Sequence, residues 1–135
     1  MCYATQNKTN KDVAIKFIKC DVKHNGYCRV LIRELSILRQ LSAIKRNIFT
    51  AKLIDVIVSK SPGDPLKQAD GMFLVIEYVP TDLDKMITRV KAESFTEEHV
   101  KVILYNCLCG LKFLHSCGVI HRDLKPCNML IEKNC

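Results

Sequence analysis

The spacing of apolar residues along the chain predicts several strands. Residues 13–18 are mainly β-branched and apolar, which is typical of a buried strand. Turn-forming residues precede this segment, so residues 2–5 are predicted to pair with it as a hairpin. Residues 51–58 and 72–79 have the same strand-like composition, and the proline- and glycine-containing stretch between them, 59–71, predicts a loop.

Two longer segments carry apolar residues at the three- and four-residue spacing of a helix. The first covers residues 27–41, and its predicted buried face consists of Tyr27, Val30, Leu31, Leu35, Leu38 and Leu41. The second covers residues 97–115. Thr96 is the predicted N-cap of this second helix, and Phe95 is predicted to pack against Val100 as a hydrophobic staple.

The chain changes character near residue 80. Strands and one helix dominate before this point, whereas a short helix over 83–90, the longer helix and a final strand over 128–132 are predicted after it. We therefore predict an α+β fold with two parts, residues 1–79 and residues 80–135.

Composition and charge exclude several classes of protein. The 135 residues are 48% hydrophobic and 26% charged, which indicates a globular domain. The net charge is +7, but the lysines and arginines are spread along the chain and interleaved with acidic residues, so we expect no nucleic-acid partner. The sequence contains neither an apolar run of membrane-spanning length nor a basic-then-apolar start, so we expect no membrane association and a cytoplasmic or nuclear location. The eight cysteines include no C-x-x-C pair and are predicted to be free thiols.

Two charged residues occupy positions that are otherwise apolar. Lys16 lies within the predicted strand over 13–18, and Glu34 falls among the apolar positions of the first helix. A buried, unpaired charge is costly, so either each side chain extends separately to solvent or the two form a buried ion pair. The presence of one opposite charge on each element favours the ion pair.

The segment from His121 to Asn128 reads His-Arg-Asp-Leu-Lys-Pro-Cys-Asn. It resembles the catalytic loop of protein kinases, H-R-D-x-x-x-x-N. The stretch ending in Lys16, Val-Ala-Ile-Lys, resembles the third-strand lysine motif of that family, and Arg-Glu-Leu around Glu34 resembles its helix-C glutamate motif. The resemblance extends over essentially the whole chain and implies a partial two-lobe kinase fold.

The resemblance also implies the roles of individual residues. Lys16 would bind the α- and β-phosphates of ATP, and Glu34 would hold Lys16 in place. Asp123 would accept the proton of the substrate hydroxyl, and Asn128 would bind Mg²⁺. Lys125 would neutralise charge on the transferred phosphoryl group and resembles the lysine of serine/threonine kinases.

Residues 72–79 resemble the fifth strand and hinge of a kinase, with Ile76 as the gatekeeper. The resemblance also implies contacts with the nucleotide. Adenine would be bound by the backbones of Glu77 and Val79 and by the side chains of Ala14 and Leu130. The ribose would be bound by Asp82.

Several strings narrow the resemblance to mitogen-activated protein kinases, with cyclin-dependent kinases as the nearest alternative. They include Tyr27-Cys28-Arg29 and the Thr-Asp-Leu-Asp-Lys run from Thr81. Protein substrates and an upstream activating kinase are the partners implied, and Arg122 resembles an arginine that pairs with activation-loop phosphate.

The glycine-rich loop and the Asp-Phe-Gly segment of kinases are not found in the sequence. We therefore expect a fragment truncated at both ends that is inactive alone. The alternative function is that of a non-catalytic, kinase-derived protein that binds nucleotide or a partner.

Overall fold

The computed structural model describes residues 1–19, 25–59, 71–89 and 96–132, except for the side chains of residues 25–28. The chain divides into two compact units, Met1–Tyr78 and Val79–Cys135. The elements of the first unit are β1 (Cys2–Gln6), β2 (Lys11–Lys19), α1 (Asn25–Ala43), β3 (Leu53–Ser59) and β4 (Gly71–Glu77). Those of the second are β5 (Thr81–Asp82), α2 (Leu83–Arg89), α3 (Glu97–Ser116), a 3-10 helix (Pro126–Asn128) and β6 (Leu130–Ile131). Antiparallel sheet and helices are thus combined, and the predicted α+β class is confirmed.

The first unit contains a four-stranded antiparallel sheet with the strand order β1-β2-β4-β3. The predicted hairpin is confirmed as β1 and β2, whose turn includes Asn10 at a φ of 53°. Residues directly opposite each other on neighbouring strands share a face of the sheet. Ala14 lies opposite Tyr3 on β1 and Ile76 on β4, and Lys16 lies opposite Leu74, so these five side chains belong to one face.

Helix α1 packs on this face and encloses the core. The buried residues of the core are Ile18, Leu31 and Leu74, and the half-buried residues packed on them are Leu35, Leu38, Leu53, Val56, Met72 and Ile76. The predicted helical face is confirmed at Leu31, Leu35 and Leu38. It is wrong at Val30, which is 64% exposed, because successive residues are about 100° apart around a helix and Val30 turns away from the sheet.

A buried asparagine joins the end of α1 to β3. Asn47 is 2% exposed, and its Nδ2 donates to the carbonyl of Leu41 at 3.0 Å and to Oγ1 of Thr50 at 2.6 Å. Its Oδ1 accepts from the backbone N–H groups of Phe49 and Thr50 at 3.0 and 3.2 Å. One side chain therefore supplies the hydrogen bonds that this turn does not obtain from a helix or a sheet.

In the second unit, the predicted N-cap of α3 is confirmed. The Thr96 side chain accepts from the N–H of His99, and the His99 ring accepts from the N–H of Thr96, so the two form a capping box. The predicted staple involves Phe95, which lies outside the described residues, as does most of the predicted loop over 59–71. The last strand is shorter than predicted. Within the described ranges, no helix is both long and apolar enough to span a bilayer.

Candidate active site

Lys16 and Glu34 approach each other in the first unit. Lys16 Nζ lies 3.8 Å from Glu34 Oε1, so the structure pairs the two charges that the sequence singles out. The predicted burial of the pair is wrong, because both side chains are 48% exposed. Long side chains keep their charged ends in water while their stems cross an apolar face, which avoids the cost of desolvation. A pair this exposed contributes only about 0–1 kcal/mol to stability, so its geometry matters more than its energy.

A second cluster of charged and polar groups lies in the loop between α3 and β6. Lys125 Nζ is 2.9 Å from Asp123 Oδ2, and Asn128 Nδ2 donates to the same oxygen at 3.0 Å. Asn128 Nδ2 also donates to the Asp123 carbonyl at 2.8 Å, and the Asp123 N–H donates to His121 Nδ1 at 3.2 Å. The structure thus brings together Asp123, Lys125 and Asn128, which the sequence nominates as catalytic.

The backbone of this loop explains why residues five positions apart can meet. Arg122 has a φ of 65°, a left-handed conformation that turns the chain sharply just before Asp123. Pro126 then opens the 3-10 helix, in which the N–H of Asn128 donates to the Lys125 carbonyl at 2.9 Å. These two turns direct the Asn128 side chain back to Asp123.

The charges of the cluster stabilise one another. The hydrogen bond from Lys125, and then that from Asn128, holds the pKa of Asp123 below its usual value. The Asp123 carboxylate in turn raises the pKa of Lys125. Asp123 is therefore a carboxylate and Lys125 an ammonium group at neutral pH.

The two oxygens of Asp123 are not equivalent. Both described contacts of the carboxylate engage Oδ2, and within the part of the chain that the structure describes Oδ1 accepts no hydrogen bond. Oδ1 is therefore the oxygen available to a hydroxyl group. Asn128 has the same asymmetry, since its Nδ2 is committed to Asp123 and, among the described residues, its Oδ1 meets only the weak donor Cys127 Sγ at 4.0 Å.

The residues present fit a magnesium ion as a partial ligand set. An amide oxygen such as Asn128 Oδ1 suits a hard cation, and Mg²⁺ commonly takes few protein ligands alongside water and phosphate oxygens. Among the described residues, no group of three or more His, Cys, Asp or Glu side chains is placed to hold a metal ion.

Asp82 lies where the short β5–β6 ladder meets α2. Its Oδ1 accepts from the N–H of Lys85 at 2.9 Å, and its Oδ2 lies 2.7 Å from Lys85 Nζ. The side chain of Asp82 is 11% exposed, and its hydrogen bonds with Lys85 lower its pKa. Asp82 pairs with Leu130 in the ladder, and the N–H of Leu83 donates to the Met129 carbonyl at 2.8 Å. Asp82 thus caps α2, a role that the sequence analysis missed, and its predicted contact with a ribose stays a prediction.

The remaining candidates are divided between the two units. Ala14 is buried in β2, whereas Leu130 is 50% exposed in β6. Glu77 ends β4, and its carboxylate accepts from the N–H of Lys52 at 3.2 Å. Val79 begins the second unit. The contacts of Ala14, Leu130, Glu77 and Val79 with adenine stay predictions.

One group near Ala14 was missed from the sequence. Tyr3 on β1 donates its hydroxyl hydrogen to Asp12 Oδ1 at 2.7 Å, and its ring lies 4.9 Å from that of Tyr78. Alternation along the hairpin places Tyr3 and Asp12 on one face, but the approach of Tyr78 depends on the register of β2 with β4.

Comparison with known proteins identifies relatives of the whole chain. The protein kinase domain family matches residues 1–135. The chain is 32% identical over 135 residues to mitogen-activated protein kinase p38b of Drosophila melanogaster and to mitogen-activated protein kinase 12 of Mus musculus. It is 36% identical over 136 residues to mitogen-activated protein kinase 6 of Arabidopsis thaliana.

All of the chain is aligned in each case, and it spans 35%, 34% and 32% of these three relatives. The chain thus spans about a third of the length of the curated relatives it matches. The predicted kinase-type fold and the resemblance to mitogen-activated protein kinases are confirmed. The chain belongs to the protein kinase domain family.

Proposed function

We propose that the chain is part of an ATP-dependent serine/threonine protein kinase of the mitogen-activated type, which transfers the γ-phosphate of ATP to serine or threonine hydroxyls of protein substrates. One observation carries the proposal. Asp123 has one oxygen held by Lys125 and Asn128 and the other without a described partner. This arrangement is suited to receiving a hydroxyl group beside a positive charge.

In the proposed reaction, Asp123 Oδ1 accepts a hydrogen bond from the substrate hydroxyl and orients its oxygen towards the γ-phosphorus. As the new phosphorus–oxygen bond forms and the bond to the β-phosphate breaks, the hydroxyl proton passes to Asp123. Lys125 stabilises the negative charge on the transferred group, because its ammonium group already lies within 2.9 Å of Asp123. His121 supports this geometry by accepting the backbone N–H of Asp123.

The groups that would hold the nucleotide are proposed from the family match. ATP supplies the phosphoryl group, and Mg²⁺ supplies positive charge that neutralises the phosphates. Lys16 would bind phosphate oxygens, and Glu34, at 3.8 Å, would limit the positions open to its ammonium group. Asn128 Oδ1 would be the protein ligand of the metal.

The partners are proposed on the same basis. The relatives are mitogen-activated protein kinases by name, so we assign this chain protein substrates and an upstream kinase. A cytoplasmic or nuclear location would follow. The exposed, left-handed Arg122 is the residue proposed to pair with an activating phosphate.

Phosphate transfer tests the proposal. Two proteins are tested: the chain itself, and the protein encoded by the whole open reading frame that contains it, called the reading-frame product. Each is incubated with radiolabelled ATP, Mg²⁺ and peptides that contain serine, threonine or tyrosine. We expect the reading-frame product to label serine and threonine, and Lys16→Met and Asp123→Asn to abolish labelling. Tyr105→Phe, at an exposed position of α3, is the matched control and should leave the rate unchanged.

Circular dichroism of each variant separates a catalytic defect from unfolding. A folded wild-type product that binds ATP without transferring phosphate would refute the catalytic proposal and support the non-catalytic alternative. Retained transfer by either Lys16→Met or Asp123→Asn would refute the role given to that residue.

A further inference from the structure

The sheet face that carries Lys16 has two distinct regions. Helix α1 covers the region around Ile18 and Leu74, where the core lies. Around Ala14, nearer the start of β2, the same face carries Tyr3 on β1 and, past the end of β4, Tyr78. Among the described residues, neither Tyr3 nor Tyr78 belongs to the α1 core, and this second region is aromatic.

Tyr3 is held in a fixed position there. Its hydroxyl donates to Asp12 Oδ1 at 2.7 Å, and that oxygen also accepts from the Thr5 hydroxyl at 3.2 Å. The ring of Tyr78 meets the Tyr3 ring at 4.9 Å and an interplanar angle of 72°, an edge-to-face contact. The bond to Asp12 raises the pKa of Tyr3, so the hydroxyl stays protonated and the anchor persists at neutral pH.

Tyr3 nevertheless remains 59% exposed. An edge-to-face neighbour covers at most one face of a ring, and Tyr3 at this exposure keeps an apolar aromatic surface open in this unit. A ring restrained in advance loses little conformational freedom when a second flat group packs against it. The arrangement is therefore suited to a planar aromatic ligand.

The position of Tyr3 relative to Lys16 limits the chemistry of this ligand. Tyr3 is opposite Ala14, two residues from Lys16, which places the α-carbons of Tyr3 and Lys16 about 8 Å apart on one face. A ligand that reaches both side chains needs a flat aromatic part and an anionic part joined by a short spacer. A nucleotide has this composition, with base, ribose and phosphates in that order.

We propose that Tyr3 is a specificity-determining residue of the nucleotide site, where its ring packs against the base, and that Asp12 is the residue that positions the ring. The inference rests on the proposed function, because Lys16 is taken to bind phosphate. It adds a contact that discriminates between a base and a bare phosphate chain.

Calorimetric titration of the 135-residue chain with ATP, adenosine and inorganic triphosphate tests the proposal. Tyr3→Ala should weaken the binding of ATP and adenosine by about fivefold each, the effect of losing one aromatic contact, and leave inorganic triphosphate unchanged. Tyr3→Phe, which keeps the ring, should weaken adenosine binding by no more than about twofold. Asp12→Ala should resemble Tyr3→Phe, and Asp12→Asn, which keeps an acceptor oxygen, should restore wild-type binding.

Tyr105→Ala is the matched control, since Tyr105 is 68% exposed on α3 and lies in the other unit. Wild-type adenosine affinity in Tyr3→Ala would overturn the inference, as would an equal loss of triphosphate binding. If Tyr3→Ala unfolds, Tyr3→Phe still tests the inference. A roughly fivefold loss of adenosine binding in Tyr3→Phe would assign the effect to the hydroxyl rather than the ring and would overturn the inference. A wild-type chain that binds no ATP would overturn this inference, while phosphate transfer by the reading-frame product decides the proposed function separately. Normal ATP binding with an indifferent Tyr3 would likewise overturn this inference alone.

Discussion

Replacing Asn47 by alanine should destabilise the first unit strongly for a single polar substitution. The Asn47 side chain makes four hydrogen bonds, one to the last turn of α1 and three to the turn before β3, and is 2% exposed. Each such bond has a net value of about 0.5–1.5 kcal/mol, so the four together would be worth roughly 2–6 kcal/mol. Phe49 is 42% exposed and Thr50 half-buried, so water can reach some of the freed groups. We therefore expect a loss of about 2–3 kcal/mol in the free energy of unfolding.

Urea denaturation followed by far-ultraviolet circular dichroism measures this loss as a shift of the midpoint at constant slope. Thr50→Val removes one of the four contacts and should cost about 0.5–1 kcal/mol. Asn106→Ala is the matched control, because Asn106 is exposed on α3 and alanine favours a helix by up to about 0.7 kcal/mol. If Asn47→Ala stays within about 0.5 kcal/mol of the wild type, the hydrogen bonds do not stabilise the turn and the reasoning is wrong.

Three further predictions concern charge and packing. Because Lys125 lowers the pKa of Asp123, the stabilisation from this pair is present above the ordinary carboxyl pKa of 3.8 and is lost as the pH falls through the lowered pKa. In Lys125→Ala, a carbon-13 NMR titration should show the Asp123 pKa moving up towards 3.8. An unchanged titration would exclude the pairing in solution. Lys85→Ala should raise the Asp82 pKa in the same experiment but leave it below 3.8, since the backbone N–H of residue 85 still donates; a return to the full ordinary value would contradict the capping contact. Gly71→Ala would place a Cβ 2.6 Å from a carbonyl oxygen of β2 and should cost about 1–3 kcal/mol in urea denaturation, whereas wild-type stability would show that the strands can separate to admit it.

The sequence predicts the elements of this chain well where one physical signal dominates. A continuous run of mainly β-branched, apolar residues identifies β2, and helical spacing identifies α1 through Leu31, Leu35 and Leu38. The same spacing misplaces Val30, because a stripe of apolar residues does not show how wide the covering sheet is. Fold class thus follows from periodicity, whereas the edge of the buried face depends on the packing partner.

The candidate site is predicted unevenly for similar reasons. The pairing of Lys16 with Glu34 follows from two charges in apolar surroundings, but their burial depends on where the charged ends of long side chains come to lie. The contact of Tyr3 with Tyr78 joins residues far apart in the sequence through two strand registers, and no local pattern encodes it. The helix cap at Asp82 is a local signal and could have been found from its spacing to Lys85.

The β5–β6 ladder has a consequence for the order in which the second unit folds. It joins Asp82 to Leu130, and closing a flexible chain segment of about 50 residues costs about 3.5 kcal/mol in entropy. The ladder has two residue pairs, and one adjacent bond runs from Leu83 to Met129; bonds of this kind are worth about 1 kcal/mol each. The stabilisation from these few hydrogen bonds is too small to offset the entropy cost of closing an unstructured segment. Formation of the 20-residue helix α3 removes much of the flexible length in advance. The loop that holds Asp123 should therefore become ordered only after α3 has formed. The folding rate of this loop is then set by a helix that supplies none of the charged groups of the loop.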